Sequence, residues 1–423
     1  MRLHPFAAYR PAAGLAEQVA SPPYDVVNRA EAAALASGNA RSFLHVGRPD
    51  IDLPADLDPH DDRVYAKGRE NLERLIREGT LVPESRPSLY LYRQVWQGRA
   101  QVGIVGCVHI EDYGRDVIRK HEKTRQDKED DRTRHVLTLN AHAEPVFLTY
   151  RDQAAIDRMA AGVMAGTSLY DFTSGDGVRH TVWRVAEPAP WIAAFGGVPV
   201  AYVADGHHRS ASAWRAGLER RAANPGHTGD EEYNWFLAVL FPASQLRILP
   251  YNRLVRDLNG LTPAGFLERL ATVGRVTATK TPVPERPGTM AFFVGGGWQL
   301  LEVDPARIDH SDPIGSLDVS LLQSLVLAPL LGIGDPRTDT RVDFVGGIRG
   351  TSELQRRVES GEMALGVSMY PTTLDQLMAV SDAGQIMPPK STWFEPKLKS
   401  GLFVHMMGVE GRRSKVESLD LRP

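Results

Sequence analysis

The run Ala204-Asp205-Gly206-His207-His208-Arg209 sets a carboxylate, two imidazoles and a guanidinium around one glycine. It follows the apolar stretch Val198-Pro199-Val200-Ala201-Tyr202-Val203-Ala204, which reads as a buried strand, and leads into a helix of good formers from His208 to Ala223. Gly206 supplies the permissive backbone of a tight turn. The helix then aims its unsatisfied N–H groups and the positive end of its dipole at that turn, so an anion belongs there. Asp205, ending the strand, suits Mg²⁺ binding or proton acceptance. His207, His208 and Arg209 suit phosphoryl oxygens, with His208 also a catalytic candidate. A plainer reading makes Asp205 a helix cap and the other three solvated first-turn residues. The crowding of these groups behind a buried strand favours a site.

A second cluster is His121-Glu122-Lys123-Thr124-Arg125-Gln126-Asp127-Lys128-Glu129-Asp130-Asp131-Arg132. Charge runs are usually solvated helix faces, and Glu129 with Arg132 has the spacing of an ordinary helical ion pair. The run nevertheless begins soon after a strand and a turn at Tyr113-Gly114, with a His-Glu pair that helix stability does not require. If Glu122 or Glu129 faces the Gly206 turn, it can remove a hydroxyl proton while Lys123, Arg125 and Lys128 offset phosphate charge. Glu122 is the chosen base, and His121, Glu129 and Arg132 are candidate substrate contacts. A zinc set of His121, Glu122, His207 and His208 is weaker, because neither HExxH spacing nor a cysteine pair is present.

Two loops add candidates. Ser21-Pro22-Pro23-Tyr24-Asp25-Val26-Val27 is a rigid proline turn able to present Tyr24 and Asp25 at a cleft, or simply a strand entry. The Pro- and Gly-bounded segment 387–401 offers Lys390, Ser391 and Lys397 to phosphates, or packs a terminus. No GxxxxGK[ST] run and no GxGxxG after a strand is present, so the common nucleotide folds lack support.

These residues need a scaffold, and 423 residues with 42% apolar side chains can bury an ordinary core in two or three lobes. Helical periodicity is clearest over 62–78, and Ser88 to Val95 pairs naturally with Ala100 to Ile110 through Trp96-Gln97-Gly98-Arg99 as a hairpin. Later patterns predict helices at 153–164, 263–271, 317–331, 352–359 and 373–380, with strands at 144–150, 235–241, 290–294, 342–346 and 363–369. The expected class is α/β (α+β) with mixed sheets. The divisions are 1–150, an N-terminal α/β lobe with the charged segment; 151–258, a core carrying the Asp205 run; and 259–423, a C-terminal α+β lobe.

A net charge of −3, from 49 basic and 52 acidic residues, gives no broad field for nucleic acid or anionic lipid. The single cysteine, Cys107, lies in a strand-like run and reads as a small buried hydrophobe in a reducing compartment. Without a signal-like start or a bilayer-length apolar stretch, the expectation is a cytoplasmic, soluble protein. Oligomeric state is left open.

The segments 21–27, Phe43-Leu44-His45-Val46, 120–132, 204–209 and 389–397 together resemble the prokaryotic proteins grouped as domain of unknown function 1015, in the same order along the chain. The Asp205 to Arg209 run also resembles the strand-turn-helix motif of the ParB and sulfiredoxin superfamily. In that superfamily the motif binds nucleotide phosphates, and some members phosphorylate free L-serine. That resemblance implies a ParB/sulfiredoxin-like core with an added C-terminal lobe. It puts His207, His208 and Arg209 on the phosphates, Asp205 near metal or hydroxyl, and Gly206 at the turn. The expected function is therefore a Mg²⁺-dependent kinase using ATP or ADP on a small hydroxylated metabolite, free L-serine first. Rival readings are a phosphohydrolase or nuclease using the same anion site, and a nucleotide-binding regulator without turnover.

Overall fold

The computed structural model describes residues 1–408. Nine strands form the larger sheet: β1 (Leu3–His4), β2 (Leu89–Trp96), β3 (Arg99–His109), β4 (Ile118–Arg119), β5 (Val146–Tyr150), β6 (Tyr170–Thr173), β7 (Arg179–Val185), β8 (Ala201–Asp205) and β9 (Trp235–Pro242). Their spatial order is β4-β8-β5-β9-β3-β2-β7-β6, with β1 paired to β3. Only the β8–β4 and β9–β5 pairs are parallel. Gln97 and Gly98, at φ 49° and 74°, form the left-handed two-residue turn that matches strand twist in a β2–β3 hairpin.

Side chains alternate across this sheet as a period of two requires. Leu91, Ile104 and Val203 enter one apolar cluster, whereas Tyr90, Tyr92, Val105 and Tyr202 enter the other. Both faces are covered, so the strands read as almost unbroken apolar runs. Cys107 is fully buried and burial drives its thiol pKa up, leaving an inert small hydrophobe.

A second, wholly antiparallel sheet comprises β10 (Tyr251–Val255), β11 (Gly274–Ala278), β12 (Thr289–Val294), β13 (Gly297–Val303), β14 (Val342–Gly346) and β15 (Leu365–Met369), ordered β11-β13-β12-β15-β10-β14. One apolar cluster runs from Val105 and Phe147 through Phe394 and Leu398 to Phe292 and Val367, joining the two sheets. The chain is thus a mixed α/β protein. Strands from either side of residue 150 hydrogen-bond within the larger sheet, since β5 pairs with both β8 and β9. The single helix expected over 317–331 is instead helix Asp318–Leu322, a π-helical turn Gln323–Leu327 and helix Ala328–Leu331.

Three helices frame the site: α1 (Asp62–Arg77), α2 (Gln126–Leu139) and α3 (His207–Ala223). The Asp61 side chain accepts from the Arg63 N–H and caps α1. Asn140, in the left-handed conformation at φ 52°, ends α2. The outer half of the charged run therefore is helical, and α2 packs directly on α3. Among the described residues no helix is long and apolar enough to cross a membrane.

Candidate active site

Strand β8 delivers Asp205, and a bulge at Ala204 in its pairing with β5 breaks the ladder just before the turn. Bulges of this kind re-aim side chains at the ends of strands. Gly206 follows at φ 90°, a conformation costly for any residue with a Cβ. A Cβ there would also sit 3.0 Å from Arg209 Nε. No side chain caps the start of α3, so its first N–H groups face the turn without a side-chain acceptor.

The two sequence clusters meet at this turn. His207 Nδ1 lies 3.7 Å from Glu122 Oε2, and the His121 and His207 rings stand edge to face with centroids 4.4 Å apart. The Arg125 backbone N–H donates to His208 Nε2 at 3.2 Å, so His208 holds the chain entering α2 and that nitrogen carries no proton. Burial lowers the pKa of all three imidazoles, to about 4 for His121. They are neutral at pH 7. Burial instead raises the Glu122 carboxyl, with Asp205 and Asp25 adding to the rise and Lys390 and Lys397 opposing it.

Asp205 has two cationic partners, Arg209 Nη2 at 3.2 Å and Lys397 Nζ at 3.4 Å. Burial would raise its pKa, but Lys397 and Arg209 outweigh burial and hold it at about 2. Arg209 also reaches Asp25 at 3.6 Å and donates to the Pro145 carbonyl at 2.6 Å. Lys397 arrives from segment 387–401, which crosses the site, and its ammonium lies over the Trp393 ring at 5.2 Å.

A cleft with about 1830 Å³ of empty space, counting its open mouth, lies beside the turn. Asp25, Glu122, Lys123, Arg125, Lys128 and Arg132 line it, together with His208 and Lys390. Glu129 does not, because it bonds Thr124 Oγ1 and Arg215, tying α2 to α3. The Glu129–Arg132 helical pair expected from spacing is absent among the described residues. Arg132 instead pairs with Asp131 at 2.7 Å and lies over the Tyr24 ring at 4.1 Å. Four buried nitrogens around the site, His121 Nδ1, His207 Nε2, Arg209 Nε and Arg132 Nη1, have no protein partner. Such orphaned polar nitrogens in a native site call for water or a ligand.

Sequence reasoning missed Arg48, Asp50 and Tyr65 in the cleft wall, and Glu144 bonded behind its lining residue Tyr24. Glu144 accepts from the Tyr24 backbone N–H at 3.2 Å and from Ser400 Oγ at 3.4 Å, and burial raises its pKa. Arg48 clamps Asp50 through two hydrogen bonds, and Tyr65 donates to Asp131 at 2.8 Å. These residues stand in segments whose patterns carry no motif; only the proline turn at Tyr24 pointed to them. Among the described residues no three His, Cys, Asp or Glu side chains gather as metal ligands, the zinc set included.

Solved structures show distant similarity. SbnI with a C-terminal truncation from Staphylococcus aureus is 13% identical, with a TM-score of 0.38, covering 71% of this chain and 87% of its own. A free serine kinase in complex with AMP is 12% identical, with a TM-score of 0.35, covering 71% and 91%. A conserved hypothetical protein from Pyrococcus furiosus is 12% identical, with a TM-score of 0.34, covering 72% and 95%. No curated protein matches. Residues 3–320 match the family described as Protein of unknown function (DUF1015), and the chain belongs to that family.

Proposed function

We propose that this chain is a cytoplasmic phosphotransferase that binds ATP or ADP in the cleft and phosphorylates the hydroxyl of a small metabolite, with free L-serine the first acceptor to test. The observation that carries this reading is the meeting of Glu122 with the Gly206 turn, through His207 at 3.7 Å. One carboxylate of raised pKa thus stands beside an uncapped helix start ringed by cations. The resemblance of the turn to the ParB and sulfiredoxin motif supports the same reading.

In this account the N–H groups opening α3 take phosphate oxygens, and Lys123, Lys128, Lys390 and Arg132 balance the remaining charge. Glu122 accepts the acceptor's hydroxyl proton as that oxygen bonds to the terminal phosphorus. The bond from that phosphorus to its bridging oxygen breaks in line, and the shortened nucleotide leaves. His208 is a positioning residue through its bond to Arg125. Asp205, held by two cations, orients Lys397 and Arg209 in preference to binding metal.

The donor set fits Mg²⁺ only as a guest of the nucleotide, with Asp25 the cleft carboxylate that could reach it beside the phosphates. Mg²⁺ is commonly bound through one or two carboxylates plus phosphates, where it screens phosphate charge. The test is to incubate the protein with Mg²⁺, ATP or ADP and a pool of hydroxylated metabolites including L-serine, and to follow phosphorus NMR. Acceptor-dependent appearance of a phosphate monoester is expected. Nucleotide loss to water alone points to the hydrolase reading, and no loss with any acceptor removes the kinase.

A further inference from the structure

Arg253, at the start of the second sheet, is 4% exposed, yet its guanidinium donates only to the carbonyls of Tyr251 and Lys390, the latter at 3.0 Å. Among the described residues no Asp or Glu pairs with it. A buried cation without a counter-charge is costly, and burial pulls this one down to about 10. Arg253 lines a cavity with about 1120 Å³ of empty space, open to solvent, that adjoins the nucleotide cleft at Arg337 and Pro389. The charge of Arg337 is already taken by Asp335 at 3.0 Å.

Two further observations fall on the same cavity. Ser320 Oγ and Gln323 Oε1, both in its lining, are buried without a partner. Gln323 Nε2 donates to the carbonyls of Ile333 and Gly334 at 2.7 and 2.9 Å, which fixes the amide and leaves Oε1 as an acceptor. Gln323 also opens the π-helical turn, a distortion that recurs at functional sites. Val319, Leu327, Ile386 and Met387 supply the apolar remainder of the wall.

We infer that this cavity is a second small-molecule site, separate from the nucleotide cleft, for a free amino acid with an apolar side chain. Its carboxylate meets Arg253, its ammonium meets Gln323 Oε1 and Ser320 Oγ, and its side chain lies on the apolar wall.

The test titrates L-leucine into the full, nucleotide-free chain by calorimetry, with 4-methylpentanoate (no amine) and 3-methylbutylamine (no carboxylate) as controls. One L-leucine per chain is expected, each control binding at least about tenfold more weakly, with no displacement by ADP. Arg253→Gln removes binding. Should that variant unfold, Ile386 lines the same cavity at 44% exposure, and Ile386→Glu and Ile386→Lys each weaken L-leucine binding by taking apolar wall from its side chain. Absent binding, equal binding of either control, displacement by ADP, or unchanged binding when residue 386 is made polar each overturns the proposal. No turnover is read, so failure of the kinase reading leaves this result intact.

Discussion

His207 and Glu122, far apart in the chain, stand with Nδ1 and Oε2 3.7 Å from each other. His207 is neutral, so this approach gives Glu122 no full counter-charge, and burial is left to hold a proton on the carboxyl more tightly than usual. A base shifted toward neutral pH takes a hydroxyl proton more effectively than an ordinary glutamate.

Glu122→Gln keeps the side chain's shape and removes its basicity. A loss of kcat of about 10²–10⁴-fold is expected with nucleotide affinity retained. Steady-state kinetics with calorimetric ADP titration check it, and an unchanged kcat would remove Glu122 from the chemistry.

The pH profile follows from the same shift. Only the deprotonated carboxylate accepts a proton, so kcat/KM falls as pH drops through the Glu122 pKa. That pKa lies above the unperturbed glutamate value of about 4.3. The acid limb is therefore displaced upward, and the residual activity of Glu122→Gln should lack it.

Asp205 sets a different pH window, one of stability. Its folded pKa of about 2 lies below the unperturbed aspartate value of about 3.9. A depressed carboxylate contributes stability above its unfolded pKa and loses it as pH falls from about 4 to about 2. Lys397→Met removes one of the two cations responsible, and a loss on the order of 2 kcal/mol at pH 7 is expected. Urea unfolding at pH 7 and near pH 2 should show that deficit shrinking in acid.

Much of this geometry was legible in the sequence, for local reasons. An apolar run, a glycine and a string of helix formers encode the β8–Gly206–α3 unit within about twenty residues, and Gln97-Gly98 encodes its hairpin just as locally. The contact of Asp205 with Lys397 was not legible, because segment 387–401 has no periodicity and its path across the site depends on packing of the second lobe. That β5 is the strand on which β8 and β9 both pair was not legible either, because strand partnering is a non-local choice. Helical spacing over 317–331 likewise hid the π-turn at Gln323, since one extra residue in a turn barely disturbs the apolar pattern.

His208→Ala should leave the fold intact while loosening the entry to α2, because the Arg125 N–H loses its acceptor. Nucleotide affinity is expected to fall about tenfold, equivalent to about 1.4 kcal/mol. Calorimetry reads the affinity and circular dichroism the fold; equal affinity would detach His208 from the site.

Gly206→Ala strains the φ 90° turn and drives a methyl group onto Arg209. Thermal unfolding should show a cost of about 1–3 kcal/mol, together with weakened nucleotide binding. A variant as stable and as tight as the parent would mean that the turn tolerates a side chain.

The most direct measurement is a crystal structure of the chain with ADP and L-serine. The account predicts phosphate oxygens on the N–H groups that open α3 at Gly206, and the serine hydroxyl within hydrogen-bond reach of Glu122. Phosphates bound away from that turn, or a hydroxyl remote from Glu122, would contradict it.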